Sequence, residues 1–452
     1  MISSEGIGGS RDITAVAVIG IGCVLPCARG PQELWQFLVQ ARDAVGPARQ
    51  GTGLGWAGHI GAADLFDANI FGITCDEAER MDPQQQVLLT VALEALDDAG
   101  LDLGAVAGSR TAVYTGQSAS DYWDLRVARS GLDLRDYAGA HQRGLLAGRL
   151  SYAFDLRGPS VTVDAAQASS LVATHLACRS LQCGEAELAI AGGVNLLLSP
   201  HTGAMLDSVG ALSADGRCKF GDAAADGFVR AEGAGAVVLK LLERALADGD
   251  RVRAVIAGSA VGNDGRTKET ITHPSEEGQA QAMRWAYQDA GIAPSEVDYV
   301  ETHGTGTRID QAELGALSSV LSAGRPPGRP CLVGSIKSNI GHTEAAAGVA
   351  GLIKAVLCLE HGTVPASLHF STPHPAVDWE RVPLVVPTTL TDLPRRDRPA
   401  VVAVNGQSIS STNVHVVLTQ PEQAGDEPQV ADRSRSSAAH SAMLPERRWF
   451  DS

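Results

Sequence analysis

A chain of 452 residues with 44% apolar and 19% charged side chains is long enough to bury a large core, and it has the balance of a globular protein. A formal net charge of −16 without a long basic run excludes nucleic acid as a general partner. The eight cysteines, at 23, 27, 75, 178, 183, 218, 331 and 358, form no C-x-x-C pair and no Cys/His cluster, which argues against a zinc site and for reduced thiols in a cytoplasmic protein.

Residues 1–12 are polar and Gly/Ser-rich and are expected to be loose. "AVAVIGIGCVLP" is too short for a membrane span and lacks a basic flank, so it reads as a buried strand, with no secretion and no membrane association. "PQELWQFLVQARDAV" predicts an amphipathic helix with Pro31 near its start. "DPQQQVLLTVALEALDDAG" predicts another, with Asp82 as N-cap and Gly100 as stop. "AVYTGQ" and "SVTVDAA" read as strands, residues 167–183 as a helix ended by Gly184, and "AELAIAGGVN" and "AGAVVLKLLERALADG" continue strand, then strand and helix.

Beyond residue 250 the order recurs. "VRAVIAGSAVG" is strand, "EEGQAQAMRWAYQDAG" helix, "VDYVETHG" strand, "AELGALSSVL" helix, "CLVGSIKSNIG" strand and loop, and "AAAGVAGLIKAVLCLEHG" helix. Two stretches with one alternation, 13–255 and 256–419, predict an internally duplicated α/β fold with central sheets covered by helices. From 420 to 452 the chain is charged, Ser- and Ala-rich and without period, the composition of a disordered tail.

Four segments carry chemistry. In "VTVDAAQASSL", residues 161–171, a strand turns sharply into a helix and lifts Gln167 clear of the backbone, where free N–H groups point at whatever binds. An ordinary junction with a polar cap has the same pattern. "VETHGTGT", residues 300–307, delivers His303 to a strand end, where Gly304 and Gly306 admit close backbone approach. In "GSIKSNIGHTEAAAG", residues 334–348, Lys337 and His342 flank a tight turn at Gly341 and can converge on one pocket. "NGQSISSTNVHVVL", residues 405–418, is a small-residue loop entering an alternating strand, suited to offering backbone N–H donors.

Together these segments resemble the beta-ketoacyl synthase family of modular polyketide synthases, from about Ile13 to Leu418. "FGITCDEAERMDPQQQVLL", "GRLSYAFDLRGPSVTVD", "AIAGGVNLLLSP" and "DGRCKFGDAAADGFVRAEGAGAVVL" carry the resemblance further. It implies a thiolase-like five-layered α-β-α-β-α fold, usually dimeric, acting on acyl groups borne by the phosphopantetheine arm of an acyl carrier protein, with no other cofactor and no metal. Where the family's elbow reads like V-D-T-A-C-S-S-S-L, Gln167 stands in place of the nucleophilic Cys. His303 and His342 match the catalytic histidines and Lys337 the active-site lysine. The backbone N–H groups of Gln167 and Ile409 match the oxyanion hole, and Thr305, Thr307, Asn339, Gln407 and Ser408 fall at substrate-binding positions.

A carboxamide cannot be acylated as a thiolate can, so the resemblance points to the Gln-for-Cys decarboxylases that supply starter units from malonyl-type groups without condensation. Several positions depart from the pattern. Gly221 stands where Phe is usual, Gln407-Ser408 where Phe-Gly is usual, and Ser411 and Glu269 where Gly is usual. "GTGTRIDQAELGAL" is one residue shorter than G-T-G-T-x-L-G-D-P-I-E. Two alternatives stay open at this point: a non-catalytic partner like the chain-length factors, in a heterodimer with an active synthase, and a repurposed acyl transfer or cyclisation enzyme using the His pair as acid and base. No acyltransferase or carrier segment is read in the sequence, so a free-standing homodimer or heterodimer is expected.

Overall fold

The computed structural model describes residues 14–61, 66–128 and 132–421. The expected loose start at 1–12 and the tail from 422 lie outside the described residues. Gln420 is anchored, its Nε2 donating to the Leu359 carbonyl at 2.8 Å.

The first half contributes strand β1 (Val16–Leu25), helix α1 (Pro83–Asp98), β2 (Thr111–Gly116), α2 (Leu145–Ala153), β3 (Ser160–Val163), α3 (Ser169–Gln182), β4 (Leu188–Asn195) and β5 (Gly233–Leu241). Its strands lie in the order β3-β2-β4-β5-β1, parallel up to β4 and antiparallel beyond it. The second half contributes β6 (Ala254–Asn263), α4 (Glu276–Ala290), β7 (Tyr299–Glu301), α5 (Ile309–Leu321), β8 (Cys331–Gly334), α6 (Ala347–His361), β9 (Val401–Gln407) and β10 (Thr412–Thr419). Its order, β8-β7-β9-β10-β6, repeats the first half strand for strand and sense for sense. This is the duplication that the alternation predicts.

The two sheets are not separate. Val16–Val18 of β1 pair antiparallel with Ala254–Ile256 of β6, so the hydrogen bonding runs on from one half into the other. With both edges paired, every residue of β1 except Val24 is buried, which is why "AVAVIGIG" carries no polar alternation.

Helices α3 and α6 pack together between the sheets, α1 covers the outer face of the first sheet, and α4 with α5 covers that of the second. The result is a five-layered, thiolase-like α-β-α-β-α arrangement. α6 is buried at every position from Ala347 to Leu359, as expected of a helix apolar all round. At its start a Cβ on Gly348 would sit 2.6 Å from Leu171 Cβ, so only glycine lets α6 approach α3 this closely. Among the described residues no helix is long and apolar enough to cross a membrane.

Local readings hold with three changes. Asp82 caps α1 through its side chain, which accepts from the Gln84 N–H at 2.9 Å, and Gly100 follows with φ +72°. The helix expected over "PQELWQFLVQARDAV" stops at Val39, because Ala41 turns left-handed at φ +50° and Val45–Pro47 pair as a short strand. Lys337–Ile340 form one helical turn where a loop is expected. Asn405–Gln407 belong to β9, so the loop between β9 and β10 shrinks to Ser408–Ser411.

Candidate active site

The site lies where the two halves meet, at the start of α3 and the ends of β7, β8 and β9. β3 ends at Val163, and Ala166–Ala168 form a short 3-10 turn before α3. Ala166 takes φ +49°, a strained value for a residue with a side chain, and its N–H donates to Asp164 Oδ1 at 3.1 Å. Ser118 Oγ ties the corner down, lying 3.0 Å from Asp164 Oδ1 and 3.2 Å from the Ala166 carbonyl oxygen, within donating reach of either. Arg143 completes the clasp by pairing with Asp164. This strained turn presents Gln167. Its Oε1 accepts the Ile409 N–H at 3.1 Å, from the hairpin tip between β9 and β10.

His303 follows β7 and is buried. Its Nδ1 accepts the Gln407 N–H at 3.4 Å. Its own N–H and that of Gly304 donate to the two oxygens of Glu313, at 2.7 and 2.9 Å. His342 follows the Lys337 turn, and its Nδ1 accepts the Glu344 N–H at 3.0 Å. The two ring centroids lie 5.3 Å apart with planes at 82°. A nitrogen that accepts a hydrogen bond carries no proton in the neutral ring, so each Nδ1 bond assigns the proton to Nε2.

Electrostatics points the same way. Burial first, and then the Lys337 ammonium, hold both imidazoles well below their ordinary range, with His303 and Arg230 adding to the effect on His342. Burial also pulls the Lys337 ammonium down, against the opposing pull of Glu301 and Glu313. The pocket therefore offers two neutral N–H donors with a cation behind them.

The loop after His303 keeps its anchor although it is one residue short. Asp310 accepts the N–H groups of Thr305 and Gly306, both at 3.0 Å. Burial, and then Glu313, push its carboxyl up to about 7. Thr305 and Thr307 point their hydroxyls at each other, 2.8 Å apart. Gln407 is buried and its Nε2 donates to Gln279 Oε1 at 2.8 Å, while Ser408 Oγ lies 2.7 Å from Ser410 Oγ at the exposed tip. Asn339 is turned to the scaffold: its Nδ2 donates to the Arg42 carbonyl at 3.0 Å and its carbonyl accepts from Ala44 at 2.8 Å. Gly221 takes φ +70°, and a Cβ there would meet Phe370 and Trp379 at 3.5 Å. The neighbouring Phe220 ring is fully buried. Ser411 holds φ +69° with a side chain that donates to the Ile271 carbonyl.

The structure thus brings Gln167, His303, His342, Gln407 and Ile409 around one hairpin, with Lys337 buried close by. Sequence reading missed the groups that hold them: Asp164 and Ser118 under the elbow, Glu313 and Asp310 under His303, and Glu344 beside His342. For Asp310 and Glu313 a signal was present, an acidic pair three apart opening a helix after the Gly-rich loop. None of the five buried cysteines offers a substitute nucleophile. Burial pushes Cys23, Cys178, Cys218, Cys331 and Cys358 each up to about 12.

Comparison with known proteins agrees with this architecture. Residues 14–245 match the model of the beta-ketoacyl synthase N-terminal domain and residues 253–371 that of the C-terminal domain. The chain is 45% identical over 436 residues to a phenolphthiocerol/phthiocerol polyketide synthase of Mycobacterium tuberculosis, covering 91% of this chain and 23% of that protein. It is 45% identical over 426 residues to polyketide synthase GfsA of Streptomyces halstedii, covering 89% of this chain and 6% of that one. The chain therefore spans about a quarter or less of the curated relatives it matches. Among solved structures, the ketosynthase from module 6 of the bacillaene synthase of Bacillus subtilis 168 superposes with a TM-score of 0.84 at 38% identity, over 90% of this chain and 72% of that one. A Streptomyces albus oxazolomycin ketosynthase domain gives 0.85 at 32% identity, over 92% and 75%. With both family domains matched in order along one duplicated fold, the chain belongs to the beta-ketoacyl synthase family, in its polyketide synthase branch.

Proposed function

We propose that this protein decarboxylates malonyl-type thioesters on an acyl carrier protein and does not condense them. The observation that carries the reading is the pair of buried imidazoles, both neutral with Nε2–H as donor, beside an elbow whose side chain is a carboxamide. Condensation needs a thiolate to hold the growing chain, and Gln167 has no nucleophilic atom at neutral pH.

Loss of CO₂ needs less. The bond between Cα and the carboxylate breaks, its electron pair moves into the thioester as an enolate, and charge gathers on the thioester oxygen. Two Nε2–H donors aimed at that oxygen stabilise it where it forms. Cα then takes a proton from water, so malonyl-carrier and a proton give acetyl-carrier and CO₂. Burial first, and then the Lys337 charge, favours the neutral form of both rings. Gln167 Oε1 accepts the Ile409 N–H and so stands in for the carbonyl oxygen of an acyl-enzyme. The family's oxyanion-hole donor is thereby engaged by the protein itself. Thr305 and Thr307 are assigned to the phosphopantetheine arm, and a second copy of the chain to the free edge of β3.

The test is the intact mass of a malonyl-loaded carrier mixed with the purified protein. Loss of one CO₂ is expected, abolished in His303→Ala and in His342→Ala. No loss, together with a stable complex with a thiol-bearing synthase, would replace this reading by that of a non-catalytic partner. In Gln167→Cys the new thiol should accept an acyl group if the rest of the pocket is competent.

A further inference from the structure

Outside the residues that face the substrate lies a buried ion pair that no part of the mechanism yet uses. Arg230 is 1% exposed, and its Nε and Nη2 both donate to the carboxylate of Glu344, Nη2 to Oε2 at 3.1 Å. The pair joins positions 114 apart in the chain. It is built into the frame around His342: the His342 N–H donates to the Val229 carbonyl at 2.7 Å, and the Ala231 N–H to the His342 carbonyl at 2.8 Å. The Asp121 carboxylate also acts electrostatically on Arg230 and is itself held by the N–H groups of Leu198 and Ser199.

Glu344 also has an unusual backbone. Its φ is +44°, a left-handed value that a residue with a Cβ reaches only at a cost. In that conformation its N–H donates to His342 Nδ1 at 3.0 Å. A bidentate Arg–carboxylate contact is directional and, when buried, strongly constrains the residue that makes it.

We propose that Glu344 is a positioning residue: clamped by Arg230, it holds its own backbone left-handed so that its N–H fixes His342 as the Nε2–H tautomer. The carboxylate never meets substrate; it acts through the peptide group of the same residue. The kinetic arm of the test rests on the donor role proposed above for His342, whereas the tautomer arm does not.

The experiment combines nitrogen NMR of ¹⁵N-histidine-labelled protein with the malonyl-carrier assay, in Glu344→Ala, Glu344→Gln, Glu344→Gly and Arg230→Met. In the parent protein His342 should show a protonated Nε2 and a bare Nδ1. Glu344→Ala and Arg230→Met should yield a mixture of tautomers, with kcat down roughly tenfold to a hundredfold, the range for groups that orient a functional imidazole, and KM little changed. Glu344→Gln, which keeps an acceptor for Arg230, should restore the parent spectrum. Glu344→Gly, free to adopt a left-handed φ, should restore it in part despite lacking the carboxylate. A parent-like His342 spectrum in Glu344→Ala overturns the proposal. If instead no protein form decarboxylates while the tautomer shifts as described, the positioning role stands and the decarboxylase reading falls. Should Glu344→Ala fail to fold, the contrast between Glu344→Gly and Arg230→Met decides.

Discussion

At the scale of single residues, the two imidazoles are what burial makes of them. A protonated ring at 303 or 342 would carry its second hydrogen on Nδ1, against the N–H of Gln407 or Glu344. It would also sit near the cations of Lys337 and Arg230. Both effects favour the neutral ring, and the neutral ring is the competent donor. The acid limb that the two rings contribute to the decarboxylation rate should therefore lie below the ordinary imidazole pKa of about 6.5. A pH–rate profile on malonyl-carrier checks this, and a limb centred on the ordinary value would mean that the rings are exposed to water when substrate binds. Ala166 and Ser411, both left-handed with side chains attached, mark the same small region as strained. Strain of this kind persists only where the surroundings over-determine it, here through Asp164, Ser118 and Ile271.

Elements meet at unusually short range in this fold, and glycines set the distance. β1 lies directly under α1: a Cβ on Gly22 would stand 2.1 Å from the Val91 carbonyl oxygen, and one on Gly20 2.2 Å from that of Ala95. These contacts are backbone, so no side chain can swing away. Gly22→Ala should lower stability by at least about 2 kcal/mol, read as a shift in the urea midpoint at unchanged slope. Gly46→Ala is the control, since nothing lies within 4 Å of its Cβ position and its φ is unexceptional. The same logic at Gly348 and Leu171 holds the two middle helices together, and through them Gln167 against the hairpin that carries Ile409.

For the whole molecule, β3 is an end strand of the long sheet path, and it is short and half exposed. Val161 on it is 43% exposed and Tyr152, at the end of α2, is 85% exposed. Among the described residues this edge has no pairing strand; such an edge with apolar side chains is a template for another strand, and a two-fold pairing of β3 with its copy would satisfy it. Ketosynthases of polyketide synthases commonly dimerise, and the second copy proposed above is assigned to this edge. Val161→Lys should give half the parent mass in sedimentation equilibrium without loss of the folded state. An unchanged mass would move the interface elsewhere.

Much of this was legible in the chain itself. The repeated alternation gave both halves and their order, because strands of a buried sheet and the helices covering them must be apolar in different periods. Gln167, His303, Lys337 and His342 stood out because each sits at a strand end beside small residues, where side chains can reach a ligand. Local sequence could not show which groups would meet. Gln167 Oε1 finds the Ile409 N–H across 242 positions, and Arg230 finds Glu344 across 114. A hydrogen bond of that kind depends on two sheets joining through β1 and β6 and on two helices closing to a glycine contact, so its partners are fixed by packing. The sequence determined the elements and the chemistry they carry; only the tertiary structure decided that the carboxamide binds the hairpin and that both rings turn Nδ1 to a backbone N–H.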